Sequence, residues 1–391
     1  MTALVVDLFD RDHLADPAPL FRRLLAAGGP VRTADGHVVV YRHDDVRRGL
    51  GDPVGLSAAE TNGAQRRRLP VLVGTDPPAH TRLRRLCSPY FNADARRRWQ
   101  PAVARRVEAV AAAAVAQGRM EGVGALCAAA PRAALSELMA IDDPELAWLL
   151  DDAPSRHRAG RRQSFADFFG HRLADRTARP GDDLLSALCA ARAGDDRLSE
   201  AEIVGFCILL TAAGTDSVRD LLANLFVELA AAPALWDQVA AHPDRFDAVV
   251  DEAVRYVSPV QGVFRTATAD DPDREGGGGA EGGVVGGGRW SAGDRVLLLL
   301  GAANRDGSCW ADPDRLLPGR YAADPPPPAH LGFGGGVHSC LGLALARIEI
   351  RAVLQCLVDA GVRPVVDGDV ARARNPYFRT VRRLPLRFVP A

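Results

Sequence analysis

Cys340 sits in the run Phe333-Gly334-Gly335-Gly336-Val337-His338-Ser339-Cys340-Leu341-Gly342, a glycine-rich loop that carries one thiol to the start of an apolar helical segment, Leu343 to Ile350. Backbone N–H groups freed by glycines and by a first helical turn can point at the sulfur, lower its pKa and hold it as a thiolate. A sulfur so placed can ligate iron. The plain alternative is a small buried hydrophobe, common for a free cysteine.

Other clusters are ambiguous when taken alone. Glu252 and Arg255 stand at i, i+3 on one helix face and can pair, as many solvated pairs do. Ala212-Ala213-Gly214-Thr215-Asp216-Ser217 interrupts an apolar helical window. Its small residues leave room for a bulky neighbour, and Asp216 with Ser217 either relays protons or forms a polar stripe facing water. In Thr75-Asp76-Pro77-Pro78-Ala79-His80-Thr81-Arg82-Leu83-Arg84-Arg85, a Pro-Pro helix start places His80 and Arg84 one turn apart, which suits a carboxylate.

The elements that must position these groups follow from periodicity. Helical spacing recurs over 19–27, 97–117, 124–139, 199–231, 234–257 and 341–360, with breakers at Arg179-Pro180-Gly181, Ala232-Pro233, His242-Pro243 and Ser258-Pro259. Residues 30–41 alternate around Ala34-Asp35-Gly36 and predict a hairpin. Residues 264–269 and 295–300 read as strands joined by the glycine-rich stretch 276–288, a surface loop. Pro325 to Pro328 forms an extended lead into the cysteine loop, and 381–389 closes as an edge strand because it contains Pro385.

With 391 residues the chain can enclose a cofactor, and a net charge of −1 gives no global attraction to nucleic acid or an anionic membrane. Seven cysteines without CxxC spacing read as reduced thiols of a cytoplasmic protein. Residues 1–10 show no signal peptide, and apolar runs such as 296–303 are too short for a bilayer. Zinc is disfavoured because Cys340 and His338 lack a second ligand pair. A cysteine hydrolase would need a converging histidine, whereas the glycines from Gly332 to Gly342 favour backbone approach to a flat cofactor.

The pattern Phe-Gly-x-Gly-x-His-x-Cys-x-Gly resembles the haem-ligand loop of the cytochrome P450 family, and the other segments follow in family order over nearly the whole chain. The resemblance implies one domain over 1–391, mainly α with a small β region: the triangular helical prism that encloses haem b between the 199–231 and 341–360 helices. It makes Cys340 the axial ligand, with Phe333, Gly334, Gly342 and His338 against the cofactor and His80, Arg84, Arg265 and His338 on its propionates. Glu252, Arg255 and Arg315 become a structural lock under the haem. Asp216 and Ser217 become the acid–alcohol pair that supplies protons, although serine replaces the commoner threonine and lacks the methyl that restrains its rotamer.

The resemblance also implies a monooxygenase fed by ferredoxin and ferredoxin reductase, docking on a basic patch of Arg82, Arg85, Arg96, Arg97 and Arg98. The protein would act as a monomer, without nucleic acid or membrane, on a lipophilic small molecule, most simply by hydroxylation in natural-product biosynthesis. Oxidative coupling, epoxidation and a non-catalytic partner-recruiting scaffold are the alternatives. The substrate pocket is expected from Leu209, Leu210, Ala213, residues 260–263, Tyr377, Phe378 and the 56–73 loop. The arginine-rich segment 156–162 is read as a solvated face at the position of a substrate lid.

Overall fold

The long helix Glu200–Ala231 organises the fold. Ser199 and Glu202 start it with a reciprocal cap: the Glu202 amide donates to Ser199 Oγ (3.3 Å) and the Ser199 amide to Glu202 Oε2 (2.8 Å). It ends at Ala232, which leaves helical backbone before Pro233, the first residue of the next helix. Leu221, Leu222, Leu225, Phe226 and Leu229 of its second half are buried, each contributing about 1.5–3 kcal/mol of apolar transfer. The helix packs against Ala129–Met139, Ala159–Ala178, Phe246–Val257 and Leu343–Asp359, and Leu343–Asp359 packs in turn on Ala93–Gln117.

This computed structural model describes residues 4–28, 31–59, 72–150, 159–271 and 290–391. The glycine-rich 276–288 stretch, the side chains of the 156–162 arginine cluster and most of the 56–73 loop lie outside the described residues.

Beside the helices lies a six-stranded sheet in the order Leu4–Val6, Val31–Thr33, Val38–Val40, Arg295–Leu298, Val263–Ala267, Leu56–Ser57. The expected hairpin pairs Val31 with Val39 antiparallel, and Val38 pairs with Val296 in parallel. A three-stranded sheet sets Pro385–Pro390 between Val362–Val366 and Arg119–Glu121. The mainly helical class with a small β region therefore holds.

Three expectations change. The 381–389 segment is not one edge strand: Val381–Arg383 pairs with Ala371–Arg372, while Pro385–Pro390 is central in its sheet. Pro385 is tolerated there because it opens the strand. The 234–257 window divides into Pro233–Ala240 and Phe246–Val257 at His242-Pro243, as that breaker predicts. The 124–139 helix begins with a wider π turn, Val123–Ala128, where the Glu121 carboxylate takes the amides of Val123 and Gly124. Finally, one described helix, Glu200–Ala231, is long and apolar enough to cross a membrane, although here it is the central helix of the fold.

Candidate active site

Two glycines shape the cysteine loop. Gly334 has φ +70°, and Gly336 has φ +60° and packs so tightly on the end of the His43–Gly51 helix that a β-carbon would lie 2.3 Å from Leu50 O. The loop thus seats on that helix, and the Cys340 amide donates to Phe333 O at 2.8 Å to close it. Leu343–Asp359 begins three residues after the thiol. Cys340 is exposed on one side yet surrounded by protein, with the Gly342 and Leu343 amides directed at its sulfur.

The expected acidification does not hold for the chain alone. Burial pushes the thiol up and outweighs the Gly342 amide, the Arg84 charge and the Leu343 amide, which pull it down. A bound cation would reverse that balance.

Near the loop, basic groups gather with few partners. The His80 and His338 rings stand 4.4 Å apart, both imidazoles are buried, and among the described residues His80 Nδ1, His80 Nε2 and His338 Nε2 have no hydrogen-bond partner. Among the described residues, buried Arg265 donates only to its neighbour's carbonyl, Phe264 O, at 2.8 Å. Burial lowers His338 to about 4, with His80 and Arg265 adding to the effect; burial also lowers His80 and Arg265. Asp76 is the counter-charge: it accepts from Ser57 Oγ (2.6 Å) and the Ala58 amide (3.0 Å) and lies 3.9 Å from His338 Nε2.

Arg84 behaves differently from the other three. It donates to Ser339 O at 2.6 Å and Val337 O at 3.4 Å, so it braces the cysteine loop.

Asp216 and Ser217 are adjacent on the long helix but each is engaged. Arg219 Nη1 donates to Asp216 Oδ1 at 2.6 Å, and Ser217 Oγ donates back to Ala213 O at 2.8 Å. Such a back-bond is weak and easily exchanged. Arg219 also donates to buried Asp220, at 3.0 Å from Nε, a link for which the sequence carried no signal beyond spacing. Ala212 and Ala213 are exposed in mid-helix while Thr211 and Thr215 are buried, so this face of the helix, where the substrate cleft is expected, is open.

The structural lock contains Arg320 where Arg315 was expected. Arg255 Nε and Nη2 grip Glu252 at 2.7 and 2.9 Å, and Arg320 Nε reaches Glu252 Oε1 at 3.0 Å. Arg315 supplies only its carbonyl, 2.9 Å from Arg255 Nη2, and its side chain faces solvent. The basic patch is also smaller than expected. Arg82 pairs with Asp196 and Glu202, Arg85 with Asp196, and Arg97 with Asp94. Among the pocket residues, Phe378 is exposed, whereas Tyr377 turns to Phe264 and Phe9.

Residues 152–360 match the sequence profile described as Cytochrome P450. A beta-dihydromenaquinone-9 omega-hydroxylase of Mycobacterium tuberculosis is 32% identical over 98% of this chain and 78% of its own length. The chain belongs to the cytochrome P450 family. It is also 29% identical to the cytochrome P450 monooxygenase PikC of Streptomyces venezuelae, over 98% of this chain and 94% of that protein. The crystal structure of CalO2 superposes with a TM-score of 0.84 at 28% identity, covering 100% of both chains.

As a cytochrome P450 monooxygenase, the protein belongs to a family whose haem is held by a cysteine thiolate. The residues present fit that group. The orphaned nitrogens of His80 and His338, with Arg265, match two carboxylates, and the half-open Cys340 sulfur matches a metal bond. Among the described residues no cluster of three His, Cys, Asp or Glu side chains could hold a different metal.

Proposed function

We propose that this cytochrome P450 binds haem b through Cys340 and, with electrons from a ferredoxin and its reductase, hydroxylates a lipophilic small molecule in natural-product biosynthesis. The observation that carries the cofactor assignment is the meeting of basic groups with donors to spare, His80, His338 and Arg265, beside the loop that presents Cys340. When bound, the haem supplies the oxygen-activating redox chemistry, with thiolate electron donation favouring O–O cleavage.

The chain's own residues do the rest. His80, His338 and Arg265 orient the cofactor through its carboxylates, and Arg84 fixes the loop carbonyls that set the direction of the sulfur. The Gly342 and Leu343 amides temper the thiolate. Ser217 exchanges its bond to Ala213 O for one to a water in the cleft, and Asp216 resupplies protons from solvent as its pairing with Arg219 opens. Half-buried Leu209 and Leu210, exposed Ala213 and Phe378 present an apolar lining that excludes water from an oily substrate.

Natural-product chemistry is supported by the relatives: PikC is a named monooxygenase, and a mutant of P450 EryK, 27% identical with a TM-score of 0.79, was solved with erythromycin B. The ferredoxin patch reduces to Arg96 and Arg98, since the other three arginines are paired.

Two measurements test the proposal. Wild type should show the long-wavelength absorption of the reduced carbon monoxide complex and Cys340→Ala should lose it; a retained signal would refute the ligand. Titrating macrolide, polyketide and isoprenoid compounds should give a saturable shift of the haem spectrum with at least one of them. No shift with any apolar compound removes the substrate assignment.

A further inference from the structure

Away from the cysteine loop, a small cavity lies between the Arg11–Ala15 helix and the turn of residues 372–380. Its volume is about 20 Å³, room for a single water-sized occupant. His13, Arg372 and Arg379 line it, together with Gln261 and Asn375.

The charges around it do not balance. Among the described residues the Arg379 guanidinium donates to no carboxylate, hydroxyl or carbonyl, and its backbone alone is bonded, amide to Pro259 O and carbonyl from Asn224. Arg372 spends one donor on neutral Asn224 Oδ1 at 2.5 Å. His13 is only 9% exposed and its Nδ1 has no partner. Arg305 is near but already committed to Asp314 at 2.8 Å.

The acids in reach are Glu228, Asp16 and Asp10. Glu228 is the inward one, and its only hydrogen bond among the described residues is a long one, 3.5 Å from Tyr256 Oη. Asp16 and Asp10 are exposed, and both are occupied with amides at helix starts. Two guanidinium groups therefore line a space of about water size whose wall, among the described residues, holds no carboxylate. Burial, and then the Arg372 charge, lowers Arg379 to about 10, and burial pushes the Glu228 carboxyl up.

We propose that this cavity is an anion site, in which Arg372 and Arg379 hold one small monatomic anion, a free halide. Among the described residues Gln261 Oε1 in the same wall accepts no hydrogen bond, so the Arg379 donors and those of Arg372 not given to Asn224 stay free for the anion. The anion completes the charge pairing beneath the turn that carries Phe378, whose backbone bridges to Val260. Occupancy thus stiffens one wall of the apolar cleft.

The probe is sodium bromide, added to the haem-loaded protein at neutral pH with ionic strength held constant by sodium gluconate, whose anion is too large for the cavity. Thermal unfolding should shift upward and saturate, as mass action on a folded-state site requires. Arg379→Met should weaken bromide binding about tenfold or more, because a charge-assisted contact is lost. Glu228→Gln should tighten it several-fold, since the competing carboxylate is gone, and it decides the matter should the Arg379 variant fail to fold. Crystals soaked in bromide should show an anomalous peak between the two guanidinium groups.

Acetate tests the size of the site: its three-heavy-atom carboxylate should not compete with bromide, and competition would overturn the assignment to a single halide. A bromide response that does not saturate, or one unchanged in both Arg379→Met and Glu228→Gln, overturns the site.

Discussion

Arg320 Nε lies 3.0 Å from Glu252 Oε1, while Arg315 reaches the same network only through its carbonyl, 2.9 Å from Arg255 Nη2. Arg320 is 8% exposed in its side chain and Arg315 70%. Removing one member of a buried ion network strands its partner's charge, a loss of about 3 kcal/mol, whereas an exposed arginine changes stability by about 0.5 kcal/mol or less. Arg320→Ala should lower the urea midpoint strongly and shed haem, and Arg315→Ala should leave both near wild type. Equal midpoints for the two variants would remove Arg320 from the lock.

That pair also shows what the sequence could and could not disclose. Glu252 and Arg255 were legible because three residues on a helix bring two side chains to one face. Their third partner comes from irregular chain, where Asp312-Pro313-Asp314-Arg315 and Leu317-Pro318-Gly319-Arg320 both offer a Pro-x-Arg and no periodicity says which guanidinium points inward. The cysteine loop was legible for the opposite reason: Gly334 and Gly336 sit where φ is positive, and at Gly336 a β-carbon would strike Leu50 O, so backbone geometry is written in residue type. Sites built from long-range pairing were not. Nothing near Arg82 announces Asp196 and Glu202, more than a hundred residues away, and the patch it was expected to join shrank accordingly.

Haem retention should separate the basic residues by how they are bonded. Arg265 and His80 have donors to spare, so Arg265→Ala should speed haem loss to a scavenger protein by about tenfold or more, the scale of one charge-assisted hydrogen bond. Arg84 is tied to Ser339 O, so Arg84→Ala should instead shift the position of the thiolate absorption band by loosening the loop. Identical haem-loss rates for wild type and Arg265→Ala would mean that Arg265 does not touch the cofactor.

Ser217 can rotate away from Ala213 O, and Asp216 sits at the solvent edge held by Arg219. Ser217→Ala should keep haem content, yet divert a larger share of reducing equivalents to hydrogen peroxide. Asp216→Asn should slow turnover by about tenfold to a hundredfold, at the lower end of what a positioned proton donor contributes. Ser217→Thr restores the hydroxyl and adds the restraining methyl, so peroxide release should fall below wild type. Unchanged coupling in both the Ala and Asn variants would show that protons enter by another route.

His13 gives the molecule a pH dependence whose sign can be worked out. Burial first, then the Arg379 charge, holds its imidazole down from 6.5 to about 4, while Asp10 and Asp16 oppose this and Arg23 adds slightly to it. The folded chain therefore refuses a proton that the unfolded chain accepts below 6.5, so stability is intact above that value and falls as pH drops toward about 4. The full loss is up to about 3 kcal/mol, at about 1.36 kcal/mol per unit of displacement. His13→Phe keeps a ring against Phe21, 5.9 Å away in the wild type, and removes the titration. Urea midpoints followed through this interval should fall more steeply for wild type than for His13→Phe, and parallel curves would exclude His13 as the cause. Bromide should flatten the wild-type curve alone, because an anion beside the ring favours the imidazolium and returns part of the lost stability.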